Sequence, residues 1–184
     1  MFAGRTSGRY YTHLTLEELE EIKAISGFTE NEVLQLENKF EALAPENGRI
    51  GIEAFLRLPE LSMPLSKKIP EALGLKGPSL DLKGFCKVLA LFHPRAALED
   101  KIHFIFKLYD ADNDGMISRQ DLKSTLELIG GEASDEQLIA YSVGKVFTEL
   151  GVEDIEGKLA KDDFTHGIGG IDVQKFISFS FDED

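Results

Sequence analysis

A chain of 184 residues, 42% of them hydrophobic, is long enough to bury a core, either as one large domain or as two small lobes. Its 33 acidic and 20 basic residues give a net charge of −13, which disfavours contact with nucleic acid or anionic lipid and favours cations and basic peptides. With one cysteine, Cys86, and no apolar run long enough to cross a bilayer, the chain is expected to be cytoplasmic, without disulfides or direct membrane insertion.

The predicted elements form four helix–loop–helix units along the chain. In each unit an apolar residue is followed five positions later by another: Ile50 and Phe55, Leu80 and Phe85, Ile117 and Leu122, Leu159 and Phe164. Segments with helical periodicity precede and follow each pair. We therefore predict an all-α fold in which the units form two paired lobes, with short β bridges between the loops. Ile117 is expected to pair with Leu159 in this way.

Helix ends are predicted from local signals. Starts are expected at three hydroxyl residues whose third following residue can complete a capping box: Thr15 with Glu18, Thr29 with Glu32, and Ser134 with Gln137. Stops are expected at Gly27 and at the Gly130-Gly131 pair, because glycine readily adopts the left-handed conformation that ends a helix.

Pro94 marks the internal boundary, because a proline disfavours helix at the residue before it, His93. This boundary separates the first two units from the last two. The predicted organisation is an N-terminal tail (1–13), an N-terminal lobe (14–92), a linker (93–97), a C-terminal lobe (98–175) and a C-terminal tail (176–184).

The first two loops do not fit the twelve-residue calcium loop, which needs oxygen ligands at positions 1, 3, 5, 7, 9 and 12. The first loop is one residue short, begins with Ala44 and ends at Ala54, where carboxylates are required. The second, residues 73–84, offers Asp81 as its only carboxylate and has Pro78 in place of the turn glycine. Both helix–loop–helix units of the N-terminal lobe are therefore predicted to be degenerate, that is, unable to bind a metal ion.

The third loop, residues 110–121, matches the calcium loop closely. Gly115 at position 6 permits the sharp turn that wraps the ligands around one point. The predicted ligands are Asp110, Asp112, Asp114, the backbone carbonyl of Met116, Ser118 (directly or through a water) and Asp121. This is the pattern of an EF-hand, so the four units are interpreted as EF-hands. We predict one metal site, for calcium, with magnesium as the alternative.

Position 12 of this loop carries Asp121, where a glutamate usually supplies two oxygens. The shorter side chain is expected to leave calcium under-coordinated and to reduce the preference of the loop for calcium over magnesium. Calcium affinity is expected at about 10⁻⁶ to 10⁻⁵ M or weaker.

The fourth loop, residues 152–163, lacks its first ligand because Val152 stands at position 1. Suitable residues occupy other positions: Asp154, Glu156, Gly157 and Asp163. Tight binding is not expected here, whereas a weak site stays open. The C-terminal lobe is thus predicted to hold one competent hand.

Four separated segments carry a family resemblance: EELEEIK at 17–23 followed by SGF at 26–28, LPEL at 58–61, IHFIFKLYD at 102–110 and GGIDVQK at 169–175. In this order they resemble the calcineurin B family, and within it the calcineurin B homologous proteins, over about residues 14–179. The resemblance implies a non-catalytic regulatory subunit that holds an amphipathic helix of a larger protein. That helix belongs to a sodium/proton exchanger tail or to a phosphatase catalytic subunit. Phe2 stands where N-myristoylation needs glycine, so this lipidation is not expected.

Partner binding of this kind places apolar anchors of a helix in an apolar groove. The candidate lining residues are Leu56, Leu61, Leu89, Phe92, Ile129 and Phe176, each of which is also a candidate for the ordinary core. The predicted function is calcium-modulated regulation of a partner, through which the chain would reach a membrane or a larger assembly. Two alternatives stay open, a constitutive structural subunit like a light chain and a free calcium buffer. Catalysis is not expected, because the four histidines are scattered and no nucleophile motif is present.

Overall fold

The fold is taken from a computed structural model that describes residues 12–44, 48–61 and 63–167. These residues form nine α-helices: α1 (Leu16–Ser26), α2 (Glu30–Leu43), α3 (Ile52–Phe55), α4 (Ile69–Ala72), α5 (Leu82–Phe92), α6 (Leu98–Tyr109), α7 (Arg119–Gly130), α8 (Glu136–Glu149) and α9 (Lys161–Gly167). Short 3₁₀ turns lie at Pro59–Leu61, Ser66–Lys68 and Gly131–Ala133. Strands β1 (Ile50–Gly51) and β2 (Ser79–Leu80) pair antiparallel. The predicted all-α fold with short bridges between loops is confirmed.

The first two helices begin and end as their local sequence predicts. Thr15 and Thr29 each accept the backbone N–H of the third following residue, and Glu18 and Glu32 accept the N–H of the cap residue in return. Both capping boxes are therefore confirmed. Helix α1 stops at Gly27, whose φ of 70° is easily reached only without a Cβ atom.

The predicted start of α8 at Ser134 is wrong by one residue. Asp135 is the N-cap, and its carboxylate accepts the N–H groups of Gln137 and Leu138 at 2.8 and 3.1 Å. A charged carboxylate is a stronger acceptor at the positive end of a helix than a hydroxyl. The Ser134 hydroxyl instead donates to the carbonyl of Gly131 at 2.7 Å.

The loops of each pair of hands lie side by side. Ile50 pairs with Leu80 in the N-terminal pair. In the C-terminal pair, Ile117 and Leu159 each donate a backbone N–H to the other's carbonyl at 2.9 Å, which confirms the predicted bridge. This bridge brings the third and fourth loops within side-chain reach of one another.

Aromatic packing continues from the first pair of hands into the second. Phe85 of α5 contacts Phe55 of α3 edge to face, with ring centroids 5.9 Å apart. Phe92, the last residue of α5, contacts Phe104 of α6 in the same way at 5.3 Å. Cys86 is buried beside this cluster, and burial raises the pKa of its thiol to about 12.

Residues 93–97, between α5 and α6, are fastened to the start of α2. Glu32 accepts a hydrogen bond from Arg95 Nη2 at 2.5 Å, and its other oxygen lies 3.2 Å from His93 Nε2. Burial, and then the charge of Arg95, lower the pKa of His93, which favours the neutral ring. Glu32 therefore takes part in the capping box of α2 and also anchors residues 93–97. The limits of the two lobes stay a prediction.

None of the described helices is both long and apolar enough to cross a bilayer. The predicted C-terminal tail (176–184) and all but two residues of the predicted N-terminal tail (1–13) lie outside the described residues.

Candidate metal centre

The three aspartates at the start of the third loop converge. Carboxylate oxygens of Asp110, Asp112 and Asp114 lie within 4.8 Å of one another. The convergence follows from the backbone between and after them, because Asn113 and Gly115 adopt positive φ angles of 56° and 86°. A cluster of hard oxygen ligands at this spacing fits calcium or magnesium.

Asp110 is the buried member of this cluster. Its carboxylate accepts the N–H groups of Gly115 at 3.0 Å and Asp114 at 3.2 Å. Burial raises the pKa of Asp110, the charges of Asp114 and Asp112 raise it further, and the two N–H donors act in the opposite direction. The clustered negative charges repel one another, and a divalent cation between them would relieve that repulsion.

The last predicted ligands are arranged differently. Asp121 Oδ2 accepts the N–H and the O–H of Ser118 at 2.8 and 2.5 Å, so the two residues form the capping box of α7. Among the described residues, the convergent cluster consists of the three aspartates and does not take in Asp121. Met116 follows the turn and donates its N–H to Asp114. The ligand roles of Met116, Ser118 and Asp121 stay predictions.

Asp121→Glu is expected to strengthen calcium binding by about tenfold and to increase the preference for calcium over magnesium. The extra methylene lets the carboxylate reach the ion with two oxygens, and a glutamate can still complete the capping box with Ser118. Calorimetric titration with each metal measures the effect. Asp163→Glu, at position 12 of the fourth loop, is the matched control and should leave both affinities unchanged. Equal changes in calcium affinity in the two variants would contradict this prediction.

The fourth loop holds a side-chain cation from the third hand. Arg119 Nη2 donates to the backbone carbonyls of Val152 at 2.9 Å and Asp154 at 3.2 Å, at positions 1 and 3 of the fourth loop. Its guanidinium lies 4.2 Å from the ring centroid of Phe147. In the opposite direction, Lys158 of the fourth loop forms an ion pair with Asp114 and lowers the pKa of that carboxyl.

Sequence reasoning missed both Arg119 and Lys158. The available signal was a basic residue within each of two loops that the Ile117–Leu159 bridge was already predicted to bring together.

The predicted groove residues that the structure describes are not gathered on one open surface. Leu61, Leu89 and Phe92 are buried in the core of this structure, Leu56 is half-buried and Ile129 is exposed. Phe176 lies outside the described residues. In this arrangement Leu61, Leu89 and Phe92 serve as core residues. The sequence could not show this, because helical periodicity marks an apolar face without saying what covers it. Their role in a groove stays a prediction that requires the lobe to open.

A different apolar cavity of about 450 Å³ lies in the C-terminal half, between α6, α7, α8 and α9. Its apolar lining includes Tyr109, Leu122, Val146, Leu150, Leu159 and Phe164. Sequence reasoning did not assign a groove to this place, although Val143 and Val146 of α8 and Leu150 at its C-cap recur at helical spacing. Ile117, at position 8 of the metal loop, also faces the cavity. The metal loop and the cavity therefore share a wall.

Known proteins resemble this chain over nearly its whole length. A family model described as an EF-hand domain matches residues 101–130, which comprise most of α6, the third loop and α7. The type 2 calcineurin B of Dictyostelium discoideum is 35% identical over 173 residues, which cover 91% of this chain and 94% of the relative. The calcineurin B of Naegleria gruberi is 33% identical, covering 91% and 96%. The type 1 calcineurin B of Dictyostelium discoideum is 30% identical, covering 94% and 99%.

Proposed function

Because the chain belongs to the calcineurin B family of calcium-binding EF-hand proteins, whose members are non-catalytic regulatory subunits, we propose that it holds an amphipathic helix of a phosphatase catalytic subunit. The third loop would be its one calcium site. The resemblance to the calcineurin B homologous proteins also implied the tail of a sodium/proton exchanger as the source of the helix. The phosphatase is the preferred partner, since all three of these relatives are calcineurin B proteins.

The main support for this proposal is the apolar cavity between α6, α7, α8 and α9. Its volume of about 450 Å³ and its apolar lining suit the bulky side chains by which an amphipathic helix is anchored. Glu149 also lines the cavity, and the net charge of −13 favours a helix with basic flanks.

The geometry also connects the ion to the cavity. Ile117 belongs to the metal loop, pairs with Leu159 across the bridge, and lines the cavity together with it. A change in the third loop when the metal binds would therefore act directly on the cavity wall. We propose that calcium raises the affinity for the partner by this route.

The test is co-purification of the full chain with the calcineurin catalytic subunit, in calcium and in chelator. Leu150→Gln places an amide in the apolar cavity and is expected to weaken capture at least tenfold, because the amide would be buried without a partner. Leu138→Gln is the matched control, since Leu138 is an exposed α8 residue that does not line the cavity, and it should bind normally. Circular dichroism establishes that both variants fold.

Other outcomes would replace this proposal. Capture that is equal in calcium and in chelator would make the chain a constitutive structural subunit like a light chain. Capture of an exchanger-tail helix in place of the catalytic subunit would change the partner. Calcium binding by a chain that takes up neither helix would make it a free buffer.

A further inference from the structure

We propose that Lys158 is a tethered competitor for the third-loop cation, so that a residue of the fourth loop sets the metal affinity of the third. This inference rests on the proposed metal site in the third loop. A basic side chain reaches from each of the two paired loops to the other: Arg119 contacts backbone oxygens of the fourth loop, and Lys158 contacts a predicted metal ligand of the third.

Arg119 makes the first of these contacts between the loops. It belongs to the third hand, and its guanidinium binds two backbone carbonyls of the fourth loop, at Val152 and Asp154, while stacking on the buried Phe147 ring. Val152 provides no side-chain oxygen at position 1. A permanent positive charge thus lies against the backbone at positions 1 and 3 of the fourth loop, a loop that lacks a side-chain ligand at position 1.

Lys158 makes the second contact and differs in one respect, because its partner is a predicted metal ligand. Its ammonium contacts Asp114 Oδ2 and lies within electrostatic range of Asp112 and Asp121. The adjacent residue, Leu159, is hydrogen-bonded to Ile117 through both backbone groups, which fixes the starting point of the Lys158 side chain. A short tether of this kind gives the ammonium a high effective concentration at the acidic loop.

A divalent ion and the ammonium compete for the same carboxylate. Asp114 must direct an oxygen to the ion at position 5, so metal binding requires its contact with Lys158 to loosen or break. Lys158 and Asp114 are both partly exposed, and such ion pairs are individually weak. The expected effect on metal affinity is therefore a few-fold to tenfold rather than a loss of binding.

Isothermal titration of the full chain with calcium tests this inference. Lys158→Met removes the charge but keeps the aliphatic stem, and it is expected to tighten calcium binding about three- to tenfold. Lys158→Arg keeps a cation at the site and should stay within about twofold of the natural chain. The matched control is Lys161→Met, which changes the net charge equally but removes a lysine that pairs with Glu99. It too should stay within about twofold.

The outcomes separate this inference from the proposed metal site itself. Calcium binding by the natural chain with no gain in Lys158→Met, or with an equal gain in Lys161→Met, would overturn the competitor role and leave the metal site standing. An absence of calcium and magnesium binding in every variant would overturn both. A second measurement is the NMR signal of reductively methylated Lys158, which should shift when calcium is added and be missing from Lys158→Met.

Discussion

Asp110→Asn is expected to weaken calcium binding by about a hundredfold, the largest effect of any single substitution in the third loop. Asp110 occupies position 1, is the buried member of the carboxylate cluster, and contributes a full negative charge to a divalent ion. Asparagine has nearly the same shape, and its one carbonyl oxygen can still accept one of the N–H groups of Gly115 and Asp114, which bind separate oxygens of Asp110. The loss of affinity should therefore come mainly from the lost charge, with a smaller contribution from the one hydrogen bond that asparagine cannot make.

The metal-free stability of this variant provides an independent check. Burial and the neighbouring carboxylates outweigh the two N–H donors and raise the pKa of Asp110, so removing the charge should offset the lost hydrogen bond and leave the calcium-free thermal midpoint nearly unchanged. Asp154→Asn is the matched control, because it removes the same charge at position 3 of the fourth loop and should leave calcium affinity unchanged. Equal calorimetric affinities for Asp110→Asn and the natural chain would refute the third-loop site.

Arg119→Met is expected to lower the free energy of unfolding by about 2 to 3 kcal/mol, since it deletes charge-assisted hydrogen bonds to two carbonyls and a cation–π contact. Methionine keeps most of the aliphatic packing. The carbonyls of Val152 and Asp154 would lose their donor, so amide exchange should become faster in the fourth loop before any other region. Urea denaturation and hydrogen exchange measure the two effects.

The control for Arg119 is Lys145→Met on α8. It removes the same charge from an exposed ion pair with Glu149 and should change stability by less than about 0.5 kcal/mol. The free energy of unfolding of Arg119→Lys should lie between those of Arg119→Met and Lys145→Met, because lysine keeps the charge but lacks the planar guanidinium. If Arg119→Met were no less stable than Lys145→Met, the guanidinium would not brace the fourth loop.

The C-terminal pair of hands contains two loops with different sources of positive charge. The fourth loop receives a fixed guanidinium, and the third has clustered carboxylates that we propose bind an exchangeable ion. A pair built in this way could change its metal occupancy at one loop while the other stays ordered. That property suits a regulatory protein whose apolar cavity shares a wall with the metal loop.

The sequence by itself determined the features that depend on residues close together along the chain. The three aspartates converge because loop positions 1, 3 and 5 are set by a local turn, and the capping boxes at Thr15 and Thr29 span three residues each. The bridge between Ile117 and Leu159 was predictable too, because paired hands place equivalent loop positions opposite each other.

Only the tertiary structure decided which groups meet across the chain. Arg119 and Lys158 reach the neighbouring loop at separations of 33 to 44 residues, which no local pattern encodes. The same holds for Leu61, Leu89 and Phe92, whose periodicity marked them as apolar without telling core from groove. Burial depends on what packs against a helix face, and that is settled by the whole fold and not by the segment that carries the face.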